Sequence, residues 1–140
     1  EKLQALLNIT SNEDFNLLKD AALTGNKITT NKLLNDTLIE PDKGLYYLNV
    51  INQRLNKLKE INNIKGSNNL EDKIKNLRPP IFWKDKNTFV NQAKLWNSAK
   101  IKNMLKETYE LEIRFKSNSN INNNVIIKKL IIDICECANF

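Results

Sequence analysis

The chain has no histidine, two cysteines, three glycines and three prolines among its 140 residues. Each shortage excludes something. Without His, a Ser–His or Cys–His nucleophile cannot be assembled. Two cysteines make no disulfide scaffold. Cys135 and Cys137 stand two apart in a segment that reads as helix, so they point about 200° apart and cannot bridge each other. One C-x-C without His falls short of a four-ligand zinc site. Three glycines, at 25, 44 and 66, leave no G-x-x-x-x-G-K-[ST] or G-x-G-x-x-G loop to cradle a phosphate. The apolar runs 125–127 and 130–132 are split by Lys128-Lys129, and no run approaches the roughly 20 residues that span a bilayer. With no initiator Met and no signal peptide at Glu1, the chain reads as an excised piece of a longer cytosolic protein.

What is abundant is Asn, Lys and Ile, which fill 59 of the 140 positions and point to AT-rich codons before they point to a function. Hydrophobic residues make up 41%, enough for a core of its own at this length. With Gly and Pro scarce, the few present act as punctuation. Residues 1–12 read as the tail of a preceding element or as residues left over from expression, and 13–140 as the main unit. Helices are expected at about 13–24, ended by Gly25-Asn26; 30–39, capped by Thr29 or Thr30, with Leu33, Leu34 and Leu38 as its stripe; and 43–64, ended by Lys65-Gly66-Ser67. Others are expected at 69–77; at 88–96, started by Asp85 or Asn87; at 99–116, capped by Ser98; and at 124–138. Arg78-Pro79-Pro80 forces an extended connection, because a residue before Pro avoids the α region. No stretch alternates with period two, so the expected fold is all-α, a compact bundle of six or seven helices. The third helix carries an apolar arc (Leu45, Leu48, Val50, Ile51, Leu55, Leu58, Ile61) wider than a surface helix needs, which predicts a central position with neighbours on two sides.

The net charge is +6, and it is uneven. Residues 45–116 hold fifteen bases against seven acids, while 1–44 are slightly acidic and 117–140 are neutral. Lys73, Arg78, Lys84 and Lys86 stand within this basic middle, with Phe82 and Trp83 between them. Such a pattern suits a nucleic-acid footprint, with the rings stacking on bases. A solubilising surface and core-anchoring aromatics are the plainer expectation, the more so because Lys outnumbers Arg nineteen to three. Arg54 falls near the middle of the third helix's apolar arc. There it needs a partner, either an internal acid such as Glu107 or Glu110 or a group on a neighbouring subunit. Glu107, Glu110 and Glu112, among Lys106, Arg114 and Lys116, read as a solvated face with ion pairs along the helix.

Four pieces taken in order resemble a known family. Asp20-Ala21-Ala22-Leu23-Thr24-Gly25-Asn26 is similar to the motif that opens the last domain of the bacterial DNA polymerase III delta subunit. Gln53-Arg54-Leu55 is similar to that family's Q-R followed by leucines. Leu77-Arg78-Pro79-Pro80-Ile81-Phe82-Trp83-Lys84, followed by Lys86, Phe89 and Trp96, resembles the segment of the alphaproteobacterial form. Glu110-Leu111-Glu112 and Lys116 resemble its penultimate helix. The Asn-rich 117–124 loop departs from the family in having no aromatic. The resemblance implies a C-terminal, all-helical collar domain of the clamp loader, which opens the sliding clamp and places it on primed DNA. The implied partners are the delta prime and gamma/tau subunits through the collar, the clamp only through an N-terminal domain outside this chain, and DNA indirectly. It implies no catalytic residue, no cofactor and no membrane partner. Arg54, Lys73, Arg78, Lys84 and Lys86 are the candidates to face a subunit or DNA, and a basic helical nucleic-acid-binding module is the alternative.

Overall fold

The computed structural model describes residues 2–64, 70–117 and 122–140, with backbone alone at 2–11 and 71. The described residues form an all-α fold of seven helices: α1 (Lys2–Leu23), α2 (Lys27–Asp36), α3 (Gly44–Asn63), α4 (Leu70–Lys75), α5 (Lys86–Leu95), α6 (Ser98–Ser117) and α7 (Asn123–Ala138). Two short 3-10 turns, Pro41–Lys43 and Trp83–Asp85, lead into α3 and α5. No described helix is long and apolar enough to cross a membrane.

The α1–α2 turn shows how local chemistry sets the frame. Gly25 has φ 76°, the left-handed conformation that glycine adopts without a Cβ penalty. Its N–H donates to Ala22 O, and the Asn26 N–H donates to Ala21 O, so the turn satisfies the last carbonyls of α1. Asn26 then serves a second helix: its Oδ1 accepts from Thr29 N at 3.1 Å and caps α2. The expected caps, Thr29 and Thr30, are therefore corrected. One residue closes α1 and opens α2, so α2 starts three residues early and ends at Asp36, leaving Leu38 exposed beyond it. Asn97, not Ser98, caps α6, its Oδ1 accepting from Lys100 N at 2.9 Å. The first helix begins at Lys2 and not near Glu13. The expected stop at 65–67 lies outside the described residues, as does 118–121 of the expected polar loop.

Gly25→Ala is expected to destabilise the protein by about 1–2 kcal/mol, because φ stays positive for an L side chain. The added Cβ would also stand 3.2 Å from the Asn139 side chain. A shift of the denaturant midpoint measures it, and an unchanged midpoint would show that the turn relaxes freely.

α3 is central, as its wide arc predicts. Its main neighbour is α6, and it also touches α1, α4, α5 and α7. Tyr47, Leu48, Ile51, Leu55, Leu58 and Ile61 are buried on it. The arc is thus filled largely from within the chain and does not by itself call for a partner subunit. α1 packs on α2 and α7 and touches α3, with Phe15, Leu18, Ala22 and Leu23 buried on it and the Phe15 ring 4.3 Å from that of Tyr47, centroid to centroid. Two polar pins cross the core. Thr108 Oγ1 donates to Asn52 Oδ1 at 2.7 Å, between α6 and α3, and Trp96 Nε1 donates to Leu23 O at 2.8 Å.

Candidate functional site

Two of the four family-like pieces differ in physical role. The segment 20–26 is architectural. Thr24 Oγ1 donates to Asp20 O, Gln92 Nε2 donates to Asp20 Oδ1, and Asn139 Nδ2 donates to Gly25 O. α1, α5 and the end of α7 are tied together there. The segment 77–86 is different. Leu77 is buried and Ile81 packs against the core, but Phe82 is 57% exposed and Trp83 74% exposed. The expectation that these rings anchor the core is overturned. The reason is local. Leu77, Ile81 and Phe89 already fill the apolar space under the segment, and the 3-10 turn, closed by Asp85 N donating to Phe82 O at 2.9 Å, points residues 82 and 83 outward.

The turn is held from below by Arg54. Its side chain is 11% exposed, with Nη2 3.9 Å from Asp85 Oδ2. The guanidinium carbon lies 5.3 Å from the Phe89 ring centroid, within cation–π reach. The partner expected for Arg54, Glu107 or Glu110, is corrected to Asp85. Those glutamates sit on α6, whereas the acid at the N-cap position of α5 makes no side-chain cap bond and meets the guanidinium instead. Arg54 Nη1 is buried without a hydrogen-bond acceptor among the described residues, so the cation is under-satisfied where it sits.

Beside it, α1, α3 and residues 79–81 border a groove of about 710 Å³. Asn16, Asn49, Gln53 and Asn56 line it with amides, Lys19, Arg54 and Lys57 with cations, and Tyr46, Val50 and Ile81 with apolar surface. Burial pushes the Lys19 ammonium below its ordinary range; neighbouring Asp20, at 3.5 Å, opposes that shift, and Arg54 adds to it. Lys57 Nζ donates to Pro79 O at 2.9 Å, fixing the Pro segment to α3.

The structure brings some sequence candidates together. Lys84 lies with Nζ 5.4 Å from the Trp83 ring centroid, Lys86 opens α5, and Arg54 reaches the same turn through Asp85. Arg78 is exposed but curls onto its own backbone, Nη1 donating to Leu77 O and Lys75 O. Lys73 is half-buried on α4, and no described hydrogen bond or ion pair ties it to the others.

The acidic face of α6 is partly as expected: Glu112 pairs with Lys116 at 3.2 Å. Glu107 does not belong to that solvated face. It meets Asp133 of α7, and its carboxyl is pushed up to about 7 by burial first, then by the hydrogen bond to Asp133 and its charge. Lys129 opposes the shift and Glu110 adds to it. Nothing in the sequence pairs α6 with α7 at this point, because the contact depends on helix packing and not on spacing along one helix. Among the described residues no three His, Cys, Asp or Glu side chains are placed to share a metal ion.

No family model, no curated protein and no solved structure matches this chain.

Proposed function

We propose that this chain is an oligomerisation domain of the collar type, resembling the C-terminal domain of the clamp-loader delta subunit. In that role its helices meet the delta prime and gamma/tau subunits and hold their ATP-using domains in a ring. The observation that carries the reading is the apolar side chains left on the outside of two helices, Tyr109 with Ile113 on α6 and, on either side of the exposed Lys128 and Lys129, Val125 and Ile132 on α7. On α6, Tyr109 is 62% and Ile113 is 51% exposed, one turn apart on the same face. On α7, Val125 and Ile132 are exposed two turns apart. Both helices have already placed other faces in the core, through Ile101, Met104, Thr108 and Phe115 and through Ile127, Leu130, Ile131 and Ile134. Apolar residues on the second face suit a partner helix. The ordered motifs at 20–26, 53–55 and 77–84 add their resemblance, now set in an all-helical fold.

The test is sedimentation of the protein with the remaining clamp-loader subunits. The native protein is expected to enter the complex, and Tyr109→Asp with Ile113→Asp is expected to weaken entry at least tenfold, since each charge must be desolvated in the interface. If the double variant assembles as the native does, and deletion of the whole domain also leaves assembly intact, the reading fails.

A further inference from the structure

We propose that the 82–86 turn is a binding site for single-stranded nucleic acid. Trp83 and Phe82 take base faces, and Lys84 and Lys86 take the flanking phosphates. Exposure is the starting point. The nearest aromatic side chains along the chain, Phe89 and Trp96, are fully buried, while two adjacent rings stand in water on a short turn. The ring centroids of Phe82 and Trp83 are 5.9 Å apart with planes tilted by 53°, so the rings do not cover each other's faces. Lys84 Nζ lies over one side of the Trp83 ring, 5.4 Å from its centroid, which leaves the other side for a base, and no described ion pair joins this ammonium to a carboxylate. The segment 78–94 contains four bases and a single acid, Asp85, whose carboxylate lies 3.9 Å from the Arg54 guanidinium. The rim of the aromatic pair therefore carries positive charge without a counter-ion from its own segment.

That combination selects the ligand. A backbone-tracking cation beside aromatic faces is the chemistry of sequence-tolerant single-strand binding. A duplex keeps its base faces stacked, so it offers Trp83 nothing to stack on. A protein partner is less well matched, since lysine is depleted in protein interfaces relative to the rest of the surface. Arg54 touches no ligand here; it is a positioning residue that fixes the turn through Asp85 and Phe89. The proposal stands independently of the clamp-loader reading.

The experiment titrates the protein with dye-labelled oligothymidylate, with oligouridylate, and with a duplex of equal charge, between about 50 and 200 mM salt. Tighter binding of both single strands than of the duplex is expected, with quenching of the exposed Trp83 while the buried Trp96 stays silent. Trp83→Ala should weaken binding of the single strands roughly 5- to 150-fold, and Trp83→Phe should restore much of it. Lys84→Gln with Lys86→Gln should reduce the slope of log K against log salt by about 1.4, two phosphates at about 0.7 each. Because residues 83, 84 and 86 are not part of the buried core, unchanged thermal unfolding serves as the folding control. Equal binding of the duplex, an unchanged affinity in Trp83→Ala, or no binding at about 50 mM salt would each overturn the proposal. The second of these results would assign the rings to a protein contact.

Discussion

Trp96→Ala is expected to cost about 3–5 kcal/mol, a large part of the stability of a domain this size. Trp96 is 1% exposed and stands at the point where three elements meet. Its indole N–H donates to Leu23 O at the end of α1, and its own carbonyl accepts from Asn62 Nδ2 near the end of α3. Its backbone N–H donates to Gln92 O and ends α5. Truncation would leave a cavity and also strip the Leu23 carbonyl of its donor. Trp96→Phe separates the two effects: it keeps most of the volume and loses only the hydrogen bond, so a loss of about 1–3 kcal/mol is expected. Chemical denaturation followed by helical circular dichroism gives both numbers. Equal losses in the two variants would show that the hydrogen bond, and not the packing, dominates.

Glu107 gives an effect of another kind, one that depends on pH. The folded carboxyl keeps its proton up to about 7, whereas the unfolded one releases it near 4.5. Between those values the folded state binds more protons, so stability must fall as pH rises through that window and then level off above it. Above the window two carboxylates, Glu107 and Asp133, face each other with Lys129 as the nearby cation, engaged with Asp133 at 3.5 Å. Glu107 is only partly buried, so water screens much of the cost, and the change is about 1 kcal/mol, well below the full linkage value. Glu107→Gln keeps the shape without the charge. It is expected to flatten the pH dependence between about 4.5 and 7 and to be the more stable protein at pH 8 by about 1 kcal/mol. Thermal melts at both ends of the window decide it. Parallel curves for the native protein and the variant would place the titrating group elsewhere.

Much of the architecture is legible in the sequence, and the misses have specific causes. Helical periodicity places the seven helices, because most of them bury a stripe that survives in the spacing of Leu and Ile; α2, whose one fully buried residue is Thr30, is placed three residues too late. Gly25 marks the first stop because a single residue type fits the left-handed position. The caps are harder. Asparagine is so abundant that nearly every helix start has a plausible cap, and only hydrogen-bond geometry separates Asn26 from Thr29 or Asn97 from Ser98. The exposure of Phe82 and Trp83 escapes the sequence because hydrophobicity says that a ring prefers burial, not whether room remains. Room here is already taken by Ile81, Leu77 and Phe89. The need of Arg54 for a partner is visible from its place on the helix, but that partner is Asp85, far along the chain, and no pattern along one helix points there.

The shared use of Asn26 has a mechanical consequence. The same residue ends one helix and begins the next, so α2 cannot swing against α1 without losing a helix stop and a helix cap at once. α1 spans 22 residues, about 33 Å at 1.5 Å each. Its far end is gripped by Trp96 and by Asn139, from the end of α5 and from the end of α7. α1 is thus a rod clamped at one end. A displacement of this rod would be delivered as torque to the α1–α2 corner and passed to α7.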